Sequence, residues 1–308
     1  MERSRKFSFE TLEDQVRLSF VFIVTGLLLS VGKPAYAENT LHVEVLPSVV
    51  KQGDVCVIRA SRPASLKSIY GEFQGERFPI AFGVRNGTSA GLLGIDMDTQ
   101  PATYEIKVVA TDGSSRVYSS ALSLKVEKVD FGTQTLSLPP SMVDLDSKTL
   151  ERVNQEARRL KVLFQGFRDE RLWSGAFIFP VQGEITTVFG VRRVINGQPR
   201  SPHTGVDLRA EERAPVLACN IGVVVLVDQL FFSGKSVILD HGWGIYSMYF
   251  HLSEALVRQE DRVSKGAILG RVGSTGRSTG PHLHWGIRMS GARVDPLSLF
   301  RLTEHLRE

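Results

Sequence analysis

In the segment Gly280-Pro281-His282-Leu283-His284-Trp285, imidazole and apolar side chains alternate, which leaves the chain few ways to fold around it. Successive side chains of a strand point to opposite faces, so His282 and His284 look into one space while Leu283 and Trp285 pack behind them. A second segment, Ser201-Pro202-His203-Thr204-Gly205-Val206-Asp207, sets His203 and Asp207 four apart. That spacing puts both side chains on one side of either an extended or a helical backbone. Pro202 and Gly205 favour extended or turn structure. His251, in Ser247-Met248-Tyr249-Phe250-His251-Leu252, closes an alternating stretch just before a break at Ser253, and reads as a strand end that delivers an imidazole to a cleft.

These five residues carry metal-site chemistry. Structural zinc sites usually fill all four positions with Cys and His, whereas catalytic sites use three nitrogen or oxygen ligands and keep the fourth for water. Cys56 and Cys219 lie outside both motifs, against a thiolate-rich structural site. Five candidates compete for three ligand places, and a hydrolytic site also needs groups that move a proton and stabilise an oxyanion. Imidazole suits both tasks, with an ordinary pKa of about 6.5. Spacing alone leaves the division between ligands and proton-handling groups open. His42, His241 and His305 read as structural histidines, and Asp240-His241-Gly242 as a turn between two strands.

The combination His203-x-x-x-Asp207, His251 within Tyr-x-His-Leu, and His282-x-His284 resembles the lysostaphin-type (LytM-like) zinc metalloendopeptidases that cut peptidoglycan peptides. The likeness extends to Phe179-Pro180-Val181, Thr187-Val188-Phe189-Gly190-Val191-Arg192, Gly273-Ser274-Thr275-Gly276 and Thr279-Gly280, and runs from about Phe177 to Asp295. It implies one zinc ion per chain held by His203, Asp207 and His284, with His251 and His282 acting on the water and the oxyanion. Within it, His282 is assigned as proton acceptor and His251 as oxyanion stabiliser, roles that the sequence also allows to be exchanged. Arg192 matches the arginine of the Phe-Gly-x-Arg segment and is the candidate for a substrate carboxylate, since guanidinium offers a two-pronged fork; a solvated loop arginine is the other reading.

The chain has 308 residues, enough for two cores, and its 42% hydrophobic and 23% charged residues are ordinary for globular proteins. The apolar run Leu18–Val31 follows Arg17 and precedes Ala35-Tyr36-Ala37, so residues 1–37 read as a signal peptide, with a retained anchor as the alternative. Export to the periplasm or cell envelope follows from that reading. The mild positive excess that remains once residues 1–37 are removed suits an anionic wall polymer, and without a Lys/Arg-rich stretch or aromatic-basic platform no nucleic-acid footprint is expected. Membrane contact is expected only if the leader is retained.

Residues 38–128 read as an immunoglobulin-like β-sandwich. Leu41, Val43 and Val45 alternate with polar residues, as do Leu122, Leu124 and Val126, and Gln52-Gly53-Asp54 and Asp112-Gly113 supply turns. Tyr104 occupies the place of a corner tyrosine, with Ile106 where a disulfide partner for Cys56 would stand, so the sandwich is expected without its inter-sheet disulfide. Residues 129–172 read as a linker with one helix, capped by Asp144 or Asp146 and carrying Leu150, Val153, Ala157, Leu160 and Phe164 on one stripe. Residues 173–308 read as a β-rich peptidase domain in which Val223, Val225 and Val227 alternate and a short helix from Leu299 to Leu306 ends the chain. The resemblance implies an antiparallel sheet with an open groove; Phe231-Phe232 and residues 194–201 read as its walls, with surface or edge packing as the alternative. The chain is thus expected to be mainly β and to be an exported zinc endopeptidase acting on peptidoglycan cross-links or stem peptides, in concert with regulatory wall proteins; the competing reading is a catalytically silent wall-binding or amidase-activating module.

Overall fold

Alternating apolar positions near the chain start build two facing sheets. One runs in the order His42–Leu46, Val55–Ser61, Thr88–Gly94, Ala81–Arg85; the other runs Val49–Lys51, Val117–Glu127, Ala102–Asp112, Leu66–Phe73, Glu76–Pro79. The computed structural model describes residues 41–61, 66–85, 88–140 and 143–305. The expected signal peptide and Leu306 lie outside them. Between the sheets, Cys56, Ile58, Ile106, Val108 and Leu124 are fully buried, each large apolar side chain contributing about 1.5–3 kcal/mol. Tyr104 donates its hydroxyl hydrogen to the Gln100 carbonyl at 2.7 Å, the corner its position predicts. Both cysteines are free and buried.

Helix α1 spans Ser147–Gln165, and of the two candidate caps it is Asp146 that accepts from the Thr149 N–H at 2.7 Å. Only the C-terminal half of its stripe docks. Phe164 is buried edge-on against Tyr246, with ring centres 5.6 Å apart, whereas Leu150 remains exposed. The N-terminal half is held by polar contacts instead: Arg152 donates to the Gln229 carbonyl, and Glu156 accepts from the Phe231 N–H.

The second half of the chain forms one broad sheet in the order Glu184–Thr187, Gly205–Arg209, His282–Met289, Ile245–Leu252, Gly234–Asp240, Gly222–Leu230, Arg262–Val263. Every neighbouring pair is antiparallel. Ala292–Val294 pairs with the end of the His282–Met289 strand. Tyr249, Leu239, Trp285, Leu283 and Ile287 are fully buried in its core together with Phe177. Helix α2, Pro296–His305, follows the last strand.

The sandwich is packed onto this sheet. Val55, Val57 and Leu92 belong to the same apolar cluster as Met289, Val294 and Leu299. The Val55 N–H donates to Ser298 Oγ at 3.0 Å, and the Asp295 N–H to the Gly53 carbonyl at 2.7 Å. Arg293 grips both Asp96 oxygens. Burial opposes the Asp96 charge, but the hydrogen bonds from Arg293 hold its carboxyl below the usual carboxylate range. No helix among the described residues is long and apolar enough to cross a membrane.

Candidate metal centre

Strand register assembles the site. Asp207 and His284 are directly opposed on neighbouring antiparallel strands, so both side chains leave the same face with Cβ atoms about 4.5–5.5 Å apart. His203 enters from the turn before the Gly205–Arg209 strand, its N–H donating to the Val191 carbonyl and its own carbonyl accepting from Gly190. Gly205 makes room for the closure: a Cβ there would lie 2.4 Å from the Trp285 carbonyl oxygen and 2.7 Å from His284 Nε2. Asp207 Oδ1 consequently stands 2.8 Å from His203 Nε2 and 2.9 Å from His284 Nδ1, and those two nitrogens are 2.9 Å apart. All three residues are buried and each offers one ligand atom to a common point.

The donor set fits a cation. His203 Nδ1 lies 2.9 Å from the Val188 carbonyl, which can only accept, so that nitrogen carries the hydrogen and Nε2 presents a lone pair. A hydrogen on His284 Nδ1 would serve the carboxylate in the absence of a cation, and that nitrogen would have to give it up to ligate; even then His203 Nε2 and Asp207 Oδ1 face each other as two acceptors. A positive ion between them removes that repulsion, and a nitrogen–nitrogen–oxygen set with no thiolate suits a borderline metal such as zinc. Burial opposes the Asp207 charge, but the two imidazoles at its oxygen hold the carboxyl far below its ordinary range, so it stays anionic. Burial pushes the His284 pKa down to about 4, keeping that ring neutral and able to ligate.

His251 and His282 stand beside the triad. The Phe250–His251 pair opposes the single residue Ser236, a bulge in the strand ladder, and His251 takes a left-handed φ of 63°. That kink redirects a side chain whose parity with buried Tyr249 would otherwise send it into the core. Its Nδ1 donates to the Thr275 carbonyl at 2.8 Å. His282 Nδ1 donates to the Gly280 carbonyl at 2.8 Å and lies 3.2 Å from Ser278 Oγ. Ring centres of His251 and His282 are 4.8 Å apart, and His282 Nε2 is 3.8 Å from Asp207 Oδ1. In the neutral state both rings therefore carry an unprotonated Nε2. Burial, then the neighbouring His284 and His282 charges, push the His251 pKa down to about 3.

Arg192 is exposed, with its backbone N–H bonded to the Gly132 carbonyl. Its neighbour Arg193 is the arginine that reaches the site, with Nη2 3.3 Å from Asp207 Oδ2. Arg193 was missed in the sequence, although it shares strand parity with buried Ile195. Thr275 lies in the Gly273–Gly276 motif noted in the sequence, but the anchoring of the outer histidines by Thr275 and Ser278 was not anticipated there. His241 does sit between the Gly234–Asp240 and Ile245–Leu252 strands, fully buried, with Nδ1 donating to the Ile221 carbonyl and Nε2 2.7 Å from Ser247 Oγ.

Residues 201–296, which contain the whole triad, match the profile of Peptidase family M23. This segment is a peptidase M23 domain. Its fold recurs in a solved Pseudomonas aeruginosa structure named for peptidase M23, which is 25% identical, covers 81% of this chain and 93% of that one, and has a TM-score of 0.61. The M23 domain is also similar to the DD-carboxypeptidase/endopeptidase Mpg of Neisseria meningitidis, 41% identical over 106 residues, or 34% of this chain and 24% of that protein. With the peptidoglycan DD-endopeptidase ShyA of Vibrio cholerae it shares 35% identity over 122 residues, or 39% of this chain and 28% of that protein. The matches thus span about a quarter of the length of these curated relatives.

Proposed function

We propose that the protein is an exported, zinc-dependent endopeptidase that hydrolyses peptide bonds in the cross-links or stem peptides of peptidoglycan. The observation that carries this reading is the convergence of His203, Asp207 and His284 beside two imidazoles whose Nε2 atoms are free to take a proton. The names of the similar proteins from Neisseria meningitidis and Vibrio cholerae support the substrate class. Residues 1–37 as a removable leader, and the periplasm or envelope as destination, belong to the same proposal.

His203 Nε2, Asp207 Oδ1 and His284 Nδ1 would hold the zinc, which when bound polarises a carbonyl and lowers the pKa of water toward about 7. His282 Nε2, the closer of the two outer rings to Asp207, accepts the proton of the attacking water. Its Nδ1–H bond to Gly280 leaves the lone pair on Nε2, the nitrogen beside Asp207. His251, tied through Nδ1 to Thr275, has no Nε2 hydrogen to offer an oxyanion until it gains one. Its oxyanion role therefore begins only with a proton arriving during the reaction.

The test combines metal stoichiometry of the purified chain with mass spectrometry of peptides released from isolated sacculi and defined muropeptides. One zinc per chain together with new amino termini in the peptide fraction is the expected result. A chain that binds zinc while sacculi stay intact is instead a silent wall-binding or amidase-activating module.

A further inference from the structure

Two guanidinium groups flank this centre without a carboxylate of their own. Arg193 Nη2 touches Asp207 Oδ2, but that carboxylate already serves two imidazoles and belongs to the ligand set, and Arg193 Nε is buried with no hydrogen-bond partner. Arg277 sits in the short segment that anchors both outer histidines, two residues after Thr275 and one before Ser278. Gly276 pins that segment against the Phe231–Gly234 turn, since a Cβ there would lie 2.3 Å from Gly234 N. The Arg277 N–H donates to the Phe232 carbonyl, and its guanidinium carbon stands 4.1 Å from the centre of the Phe232 ring. Among the described residues no carboxylate pairs with Arg277. Burial, followed by the nearby Arg193 and Arg200 charges, draws its pKa down to about 10, so it remains a cation at neutral pH.

We infer that Arg193 and Arg277 form a carboxylate-binding subsite beside the metal centre, and that the substrate peptide presents a free carboxylate next to the bond that is cut. The inference rests on the reading of the site as a peptidoglycan peptidase and narrows it. Half-buried like charges repel until an anion enters between them, and a guanidinium fork matches a carboxylate in two parallel hydrogen bonds. Phe232 fixes the plane of the Arg277 fork, so little freedom is lost on binding. Stem peptides ending in free acids fit this subsite, whereas uncharged glycine bridges do not.

The test uses the full-length zinc-loaded chain and one cross-linked stem peptide prepared with the neighbouring carboxylate free or as its amide. The free acid is expected to be preferred in kcat/KM by about 10- to 100-fold, mainly through KM. In Arg277→Gln that preference is expected to collapse toward one, with Arg277→Lys in between because the charge stays and the fork is lost. A wild-type enzyme indifferent to amidation overturns the subsite, as does an Arg277→Gln variant that slows both peptides alike. If neither peptide is cut, titration calorimetry of the same pair separates the two ideas. Tighter binding of the free acid keeps the subsite while the peptidase reading fails, and equal binding overturns the subsite itself.

Discussion

Replacing His241 by Gln gives a stability effect that depends on pH in a calculable way. The ring is fully buried, donates to the Ile221 carbonyl and accepts near Ser247, and burial pushes its pKa down to about 4 against the opposing pull of the Ile221 carbonyl and Asp240. In the unfolded chain the same imidazole titrates near 6.5. The unfolded state thus binds the proton first as pH falls, so stability is full above about pH 6.5 and declines until the folded pKa is passed. Between about pH 7.5 and about pH 5 this single group removes about 2 kcal/mol. His251 and His284, pushed down to about 3 and about 4, act in the same direction, so the His241 share must be read as a difference between two proteins. Urea unfolding of the metal-free wild type and His241→Gln, followed by tryptophan fluorescence with chelator present, supplies that difference. At neutral pH the variant is expected to be weaker by about 1–3 kcal/mol, from the poorer hydrogen bonds it makes in a sealed site. The gap should then narrow by about 2 kcal/mol on moving to about pH 5. A gap that stays constant across the series refutes the claim that this histidine is held neutral by burial.

Three further outcomes follow from the geometry. His282→Ala should keep zinc near the wild-type stoichiometry but lose turnover, whereas His284→Ala should lose both; equal loss of metal in the two variants, measured by atomic absorption, removes His282 from its proton-handling role. Gly205→Ala should cost about 1–3 kcal/mol in thermal unfolding and weaken zinc binding, because the added methyl meets the rigid Trp285 carbonyl and the His284 ring. Arg293→Ala leaves the half-buried Asp96 carboxylate without its partner, and should lower stability by about 2–4 kcal/mol with a larger loss at neutral pH than in acid, where burial no longer opposed by the arginine lets the freed carboxyl take up a proton. A pH-independent loss on differential scanning calorimetry would show that packing, not charge, carries that contact.

The chain itself determined what depends on short-range regularity. Parity alone places His282 and His284 on one face with Leu283 and Trp285 fully buried behind them. The likeness of residues 101–108 to an immunoglobulin-like late strand marks Tyr104 as a corner tyrosine and Ile106 as a core residue in the same cluster as the free Cys56. Both readings use only residues close together in the chain. What sequence could not specify is every relation set by register or by a departure from regularity. The direct opposition of Asp207 and His284 needs two strands distant in the chain to meet without a slip. His251 reaches the centre only because the ladder bulges at Phe250–His251. Arg193, not Arg192, enters the site because the Arg192–Ile195 strand turns Ile195 inward. Arg277 acquires its place when the Thr275–Ser278 segment locks against the turn that holds Phe232. Side-chain periodicity is encoded residue by residue, whereas these contacts arise from cooperative pairing across the whole sheet, which only the packed molecule resolves.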